Sequence, residues 1–309
     1  MEYDTITKSI VYKRGLSMAL GKTVEIEISN LKELYEIERE KREYFKSQEI
    51  DPYKRSVLFF RGQSDYSWIL IPGIKREDNH NTRGEEDLSE WEILEGYNAS
   101  SDNLFEYIAK CQHYGKKTRF LDFSTDINVA LFFACNEKED TDASLYICPY
   151  MPRKSRWSDT VIISELSLLR DAISVGDFAN QLYMKYADLR NKFIDINKLS
   201  MQIVSWLDHG FIVLPDAKEY EEMKADNPRI YNQKGAFFIC GNKSQQPLDS
   251  RRSSFYAEYN IILPKVCDVP DTLQMDTFVT KVKIPSLLKR NILDCLIAKG
   301  INKEYLSVQ

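Results

Sequence analysis

Cysteine, histidine and long apolar runs are scarce in this chain, and each scarcity removes a class of chemistry. Six cysteines (Cys111, Cys135, Cys148, Cys240, Cys267 and Cys295) stand apart, with no CxxC or other close pair. Their places inside apolar runs such as 132–135 and 237–240 read as buried reduced thiols. Three histidines, His80, His113 and His209, are scattered along the sequence, which argues against a metal site. No apolar stretch approaches the roughly 18 residues a membrane-spanning helix needs. The opening Met1-Glu2-Tyr3-Asp4 lacks a basic-then-apolar leader pattern, so the cytoplasm is the expected compartment. Neither GxGxxG nor GxxxxGK[ST] occurs, which excludes a dinucleotide-type phosphate loop and a P-loop. The formal net charge of −5 and pI of about 5.5 argue against broad, charge-driven nucleic-acid binding, though a local basic cleft is compatible with them. There is no internal repeat and no low-complexity tract.

What remains is an aromatic-rich globular composition. The 309 residues are 43% apolar and 29% charged, with 18 tyrosines and 15 phenylalanines, enough to fill the core of one large domain or two ordinary ones. Alternation at 24–28 predicts a strand, followed by a cap at Ser29-Asn30 and a charged helix ending near Lys46. An apolar strand is predicted at 56–60 with Arg61-Gly62 at its end. Residues 85–97 and 103–111 have helical spacing, and 128–135 is a nearly all-apolar helix. Residues 143–148 read as a strand that Pro149 ends. Between 151 and 227 the texture changes to charged amphipathic helices, at 164–175, 177–192 and 196–209, predicting a helical insertion within a single domain spanning 1–309. Strand patterns return at 235–240, 256–263 and 278–284. A final helix over 285–298 begins at Pro285 and ends at Gly300. This order predicts an α+β fold with a mixed sheet.

Two motifs concentrate polar side chains beside apolar runs. The first is Phe60-Arg61-Gly62-Gln63. The second is Gln112-His113-Tyr114-Gly115-Lys116-Lys117-Thr118-Arg119-Phe120-Leu121-Asp122-Phe123-Ser124-Thr125. Burying such groups without partners costs several kcal/mol, so they pair with one another or await a ligand. These motifs resemble the FRG domain family, named for its Phe-Arg-Gly signature. The likeness continues through Ser64-Asp65-Tyr66-Ser67-Trp68, Ile71-Pro72, Arg76, Ala130-Leu131-Phe132-Phe133-Ala134, Arg229, Gln233-Lys234-Gly235-Ala236-Phe237, Ile284-Pro285 and Gly300-Ile301.

The pattern also resembles, distantly, the ADP-ribosyltransferase fold, in which a split mixed sheet with flanking helices grips NAD. That resemblance implies a first strand ending in Arg61-Gly62. It implies a second carrying Phe123-Ser124-Thr125 before an apolar helix, and a later strand bearing a catalytic acid. At the last position this chain has Gln233, with Glu258 on a neighbouring strand pattern. The implied activity is transfer of ADP-ribose from NAD to RNA, DNA or protein, with no metal. The implied setting is a bacterial toxin or anti-phage defence effector that a neutralising antitoxin protein would hold in check. A non-catalytic nucleotide- or protein-binding module is the alternative.

Under the transferase reading, Gln233, Asp122 and Glu258 are the catalytic candidates. Arg61, Gly62, Gln63, His113, Tyr114, Arg119, Ser124 and Thr125 are the residues expected to hold NAD. A planar guanidinium at Arg61 suits a pyrophosphate; the rival reading is a structural ion pair with Asp122. His113 and Tyr114 could stack on a ring or pin the loop before Thr118. Gln63 and Gln233 could meet a carboxamide or ribose hydroxyl, or be satisfied structural amides. Arg119 and Asp122 would face opposite sides of an extended run, so only one need line a cleft. Trp68 reads as core, and the basic run at 153–157, which carries Trp157, reads as a solvated loop, with a nucleic-acid contact as the alternative.

Overall fold

The computed structural model describes residues 23–47, 56–73, 104–113, 115–154, 158–166, 169, 173–205, 210–226, 228–240, 262–263 and 279–306. Among these residues lie nine strands and ten helices. The strands are β1 (Thr23–Glu27), β2 (Val57–Gln63), β3 (Phe120–Ser124), β4 (Ala143–Tyr150), β5 (Ile173–Ser174), β6 (Gly210–Val213), β7 (Gly235–Cys240), β8 (Ile262–Leu263) and β9 (Val279–Ile284). The helices are α1 (Leu31–Ser47), α2 (Leu104–His113), α3 (Ile127–Cys135), α4 (Ser158–Leu166), α5 (Val175–Lys185), α6 (Ala187–Lys192), α7 (Ile196–Ser205), α8 (Ala217–Asp226), α9 (Pro228–Asn232) and α10 (Ser286–Ala298).

Seven strands form one mixed sheet in the order β1-β9-β4-β2-β3-β7-β6, parallel only between β1 and β9; β5 and β8 pair separately. The sheet is divided at its centre. β2 pairs with β4 over its whole length, from Val57↔Tyr150 to Gln63↔Ser144. β3 pairs with β7 from Phe120↔Ile239 to Ser124↔Gly235. Between β2 and β3 the register holds a single pair, Phe60↔Ser124.

The cores follow the same division. Alternation puts Leu58, Phe60, Leu145, Ile147 and Val282 in a cluster with residues of α1, α3 and α10. Phe120, Phe211, Phe237 and Ile239 join a second cluster with residues of α2, α4, α5 and α7. On the other face, Phe59, Leu121, Phe123, Tyr146, Cys148 and Phe238 form one cluster across the divide. Two helical layers therefore meet over the seam between β2 and β3.

Several sequence expectations shift. β2 does not end at Phe60. Its ladder to β4 carries it on to Gln63, so Arg61 and Gly62 lie within the strand. β4 likewise runs through Pro149 to Tyr150. Pairing with β9 stops at Ile147, so Pro149 lies where β4 is an edge on that side, a position that tolerates a missing N–H. The segment 151–227 is helical in large part, but β6 belongs to the main sheet and α4, α5 and α7 cover one face of it. Removing that segment would take away an edge strand and most of one of the three core clusters. The expected helix over 177–192 breaks at Tyr186 into α5 and α6, and Ser174 caps the first by accepting from Asp177 N. The expected helix at 85–97 and most of the strand at 256–263 fall outside the described residues. No helix among the described residues is long and apolar enough to cross a membrane.

Candidate functional site

Where two strands part, their facing main-chain groups lose ladder partners and need others. Beyond Phe60↔Ser124, β2 and β3 part in this way. A cleft of about 240 Å³ opens there, lined by Arg61, Gly62, Gln63, Trp68, Asp122, Ser124, Phe133, Glu137, Arg229 and Gln233 among others. A smaller hollow of about 50 Å³ shares Asp122, Phe123, Arg229 and Gln233 with it and extends to Gln112. Arg61 and Gln233, remote in sequence, thus share one cleft.

Arg61 supplies a donor that the seam requires: its Nη1 donates to the Asp122 main-chain oxygen at 2.5 Å. The contact between these residues runs through the peptide and not through the carboxylate, as the rival reading of an ion pair would have it. The Asp122 carboxylate instead accepts from Gln112 Nε2 at 2.6 Å. Gln63 is 5% exposed. Its Nε2 donates to Ile69 O at 3.3 Å, while its Oε1 is buried with no hydrogen-bond partner among the described residues. Such an orphan acceptor costs about 1–3 kcal/mol.

At Gly62 the close approach is made by the chain itself. A Cβ there would lie 1.8 Å from Ala130 O and 2.7 Å from Ala134 N. The absent side chain is the space into which α3 docks, so the glycine of the signature serves helix packing, and no ligand is needed to explain it. Arg119 is fully buried, and its Nη1 contacts Cys240 O at 3.4 Å at the far end of β3. It does not line the cleft; Asp122 does, as alternation along the strand requires.

Ser124 and Thr125 are also used internally. Ser124 Oγ donates to Gln233 O at 2.7 Å and accepts from Asp126 N at 3.0 Å. Thr125 N donates to Lys234 O at 3.1 Å. These bonds fasten the start of α3 to the turn before β7. There Asp126 caps the helix through Asn128 N, and Lys234, at φ 46°, pairs with it at 2.7 Å. Burial pushes the Asp126 carboxyl up, but its bonds to Lys234 and Asn128 outweigh this and hold it below the usual carboxylate range. The Gln233 side-chain amide donates to Leu306 O at 3.0 Å, which leaves its carbonyl for the cleft. Tyr114, Glu258 and the side chain of His113 lie outside the described residues.

Three contributors were not picked out from the sequence. Trp68, expected in the core, is 42% exposed and forms the rim, with Lys138 Nζ 4.4 Å above its ring. Arg229 brings a second guanidinium from α9 and Glu137 an acid from the turn after α3. The first two stood among the motif matches, so their presence there was the signal. Glu137, in a charged turn, offered none.

The rim is clamped from beneath. Lys289 of α10 is fully buried, and its ammonium donates to the carbonyls of Ser64 (3.1 Å), Glu137 (2.6 Å), Lys138 (2.7 Å) and Thr141 (3.2 Å). Desolvation lowers its pKa. Lys281 donates to Tyr66 O at 2.7 Å and lies 3.9 Å from the Tyr66 ring centre. Asp65 accepts from Lys138 at 2.8 Å and from Ser67; these bonds, the lysine's first, bring its carboxyl down to about 2. Burial pushes the Cys135 thiol up to about 12 and raises Cys148 as well, so both stay protonated within the core.

No match to a curated protein or to a solved structure was found. A family model does match: residues 56–143, which run from β2 through the rim, α2, β3 and α3 to the start of β4, are those of the FRG domain, so this chain contains an FRG domain.

Proposed function

We propose that the cleft between β2 and β3 binds NAD as a substrate and that the protein transfers its ADP-ribose to a macromolecule. The observation that carries this reading is the meeting of Arg61 and Gln233 in one cleft at the point where the sheet divides. A divided mixed sheet with an arginine on one side of the gap is what the ADP-ribosyltransferase resemblance calls for; on the other side Gln233 stands where that resemblance calls for an acid. The donor set suits the ligand. Arg61 and Arg229 offer planar cations for a pyrophosphate. Trp68 and Phe133 offer apolar surface for a ring. The orphan Gln63 Oε1 seeks a donor such as a carboxamide N–H. The volume sets a limit. About 240 Å³ is below the roughly 300–1,000 Å³ of pockets that enclose drug-sized ligands. The cleft therefore grips one half of the dinucleotide and leaves the rest against the rim.

In the reaction, the bond from ribose C1′ to the nicotinamide nitrogen breaks, and nicotinamide leaves with the bonding pair. A nucleophilic atom of the acceptor forms the new bond to C1′, and its proton passes to the Asp122 carboxylate. Positive charge builds on the sugar as the leaving bond lengthens, and an anion beside it lowers that barrier. Asp122 lines the cleft and offers such an anion.

The test is incubation of the purified protein with labelled NAD and candidate RNA, DNA and protein acceptors. Label transfer that Arg61→Ala abolishes supports the proposal; no transfer to any acceptor counts against it. One observation favours the second reading, a binding module without turnover. The position before β7 carries Gln233, whose amide is bonded to Leu306. Calorimetric NAD binding with neither transfer nor nicotinamide release would select that reading.

A further inference from the structure

We infer that Gln112 and Thr118 are positioning residues whose one-way chain of hydrogen bonds holds the Asp122 carboxylate where the two hollows of the cleft meet. This rests on the proposed transferase reading, because it assigns the carboxylate that the reaction uses.

The direction of the chain follows from what each group can do. The Phe120 main-chain N–H can only donate, and it donates to Thr118 Oγ1 at 3.1 Å. At the other end a carboxylate can only accept, so Gln112 turns its nitrogen to Asp122 and its oxygen to the buried Thr118, whose hydroxyl therefore donates to Gln112 Oε1. The amide N–H reaches Oδ1 of that carboxylate at 2.6 Å. Its other oxygen, Oδ2, has no hydrogen bond among the described residues, and Asp122 lines both hollows. One oxygen is pinned and one remains for a ligand.

A purely structural purpose for the chain, closing the loop after α2, is already served. Gly115 N donates to Gln112 O at 3.0 Å and Lys116 N to Cys111 O at 3.1 Å, with Gly115 at φ 86°. The charged groups that share the cleft with Asp122 are the guanidiniums of Arg61 and Arg229 and the Glu137 carboxylate. Gln112, Thr118 and Asp122 all belong to the second motif. The chain thereby gives that motif's spacing a physical reason: helix end, loop and strand each contribute one member.

The experiment is a swap. Gln112→Glu, Asp122→Asn and the double variant are compared with the full-length wild type in thermal unfolding and in NAD turnover. Gln112→Glu sets carboxylate against carboxylate and lowers both the unfolding midpoint and turnover, the latter at least about tenfold. The double variant restores the amide–carboxylate pair, so its midpoint returns to near wild type. Turnover stays down, because the negative charge now sits behind the amide. Recovery of both would overturn the inference, since the carboxylate would then be dispensable at Asp122. A double variant no more stable than the two single changes predict would also overturn it. A wild type inactive on NAD sinks the functional reading and with it the catalytic purpose of the chain, whereas the unfolding cycle still decides whether the chain exists.

Discussion

The segment after β2 and the segment around β3 are both dense in polar residues, and they are held in opposite ways. Residues 64–68 are fixed from outside. Lys289 takes the Ser64 carbonyl, Lys138 takes the Asp65 carboxylate, and Lys281 takes the Tyr66 carbonyl and faces its ring. Those three lysines come from α10, from the turn after α3 and from β9. At Asp122 the carboxylate is held by a chain of bonds made within the motif: Phe120 to Thr118, Thr118 to Gln112, and Gln112 to Asp122. The first arrangement spends its polar groups on the scaffold and leaves Trp68 at the rim. The second leaves a carboxylate oxygen facing the cleft. Density of charge in a motif therefore does not by itself mark a site; what marks it is a group left with bonding capacity after the local structure is satisfied.

The largest effect should come from the scaffold side. Gly62→Ala sets a Cβ 1.8 Å from a main-chain oxygen of α3. Backbone cannot yield as a side chain can, so we expect a loss of more than about 3 kcal/mol in urea unfolding, or no folded protein. An alanine tolerated at under 1 kcal/mol would show that α3 can move away from β2. Lys289→Met comes next. It leaves four carbonyls without their shared donor, and bonds to a charged group are worth about 1.5–3 kcal/mol each at most, with water recovering part. A net loss of about 3 kcal/mol is expected, with increased hydrogen exchange in the rim.

The third prediction belongs to the site. Arg61→Ala should weaken NAD binding about 10–100-fold by calorimetry with a smaller effect on stability than Gly62→Ala, because a guanidinium–phosphate contact contributes a few kcal/mol. Arg61→Lys should recover only part, since an ammonium lacks the planar fork. The smallest effect is the acid limb of the rim. Asp65 has a folded pKa of about 2 against an ordinary 3.8. A depressed carboxyl contributes stability that is fully present above its unfolded pKa and is lost as pH falls from about 4 towards 2. Asp65→Asn should flatten that part of the pH–stability curve by less than about 1 kcal/mol, because the pair with Lys138 is near the surface.

Much of this was legible in the residues. The apolar strand patterns located β7 and β9 to within a residue, and Pro285 and Gly300 bracket α10 as their backbone preferences require. The co-location of Arg61, Asp122 and Gln233 followed from the family motifs. Three things were not readable. Gly62 is silent about whether a ligand or a helix fills the space it leaves. β6, four residues between helices, carries too short a pattern to be separated from its surroundings. Lys289 sits among leucines on an amphipathic helix, where a lysine reads as a solvated side chain. Only the convergence of two distant carbonyl-bearing segments, at Ser64 and at 137–141, makes it an interior cation. Trp68 was misplaced for a related reason. Its size favours burial, but the loop holding it is set by lysines that the local sequence does not contain.

The most direct measurement is a crystal structure of the protein with NAD. The account predicts nucleotide density in the gap beyond Phe60 and Ser124, a phosphate within hydrogen-bonding distance of Arg61, and one ring in the cleft near Gln63 and Gln233. Nucleotide bound elsewhere, or an empty gap at saturating NAD, would contradict it.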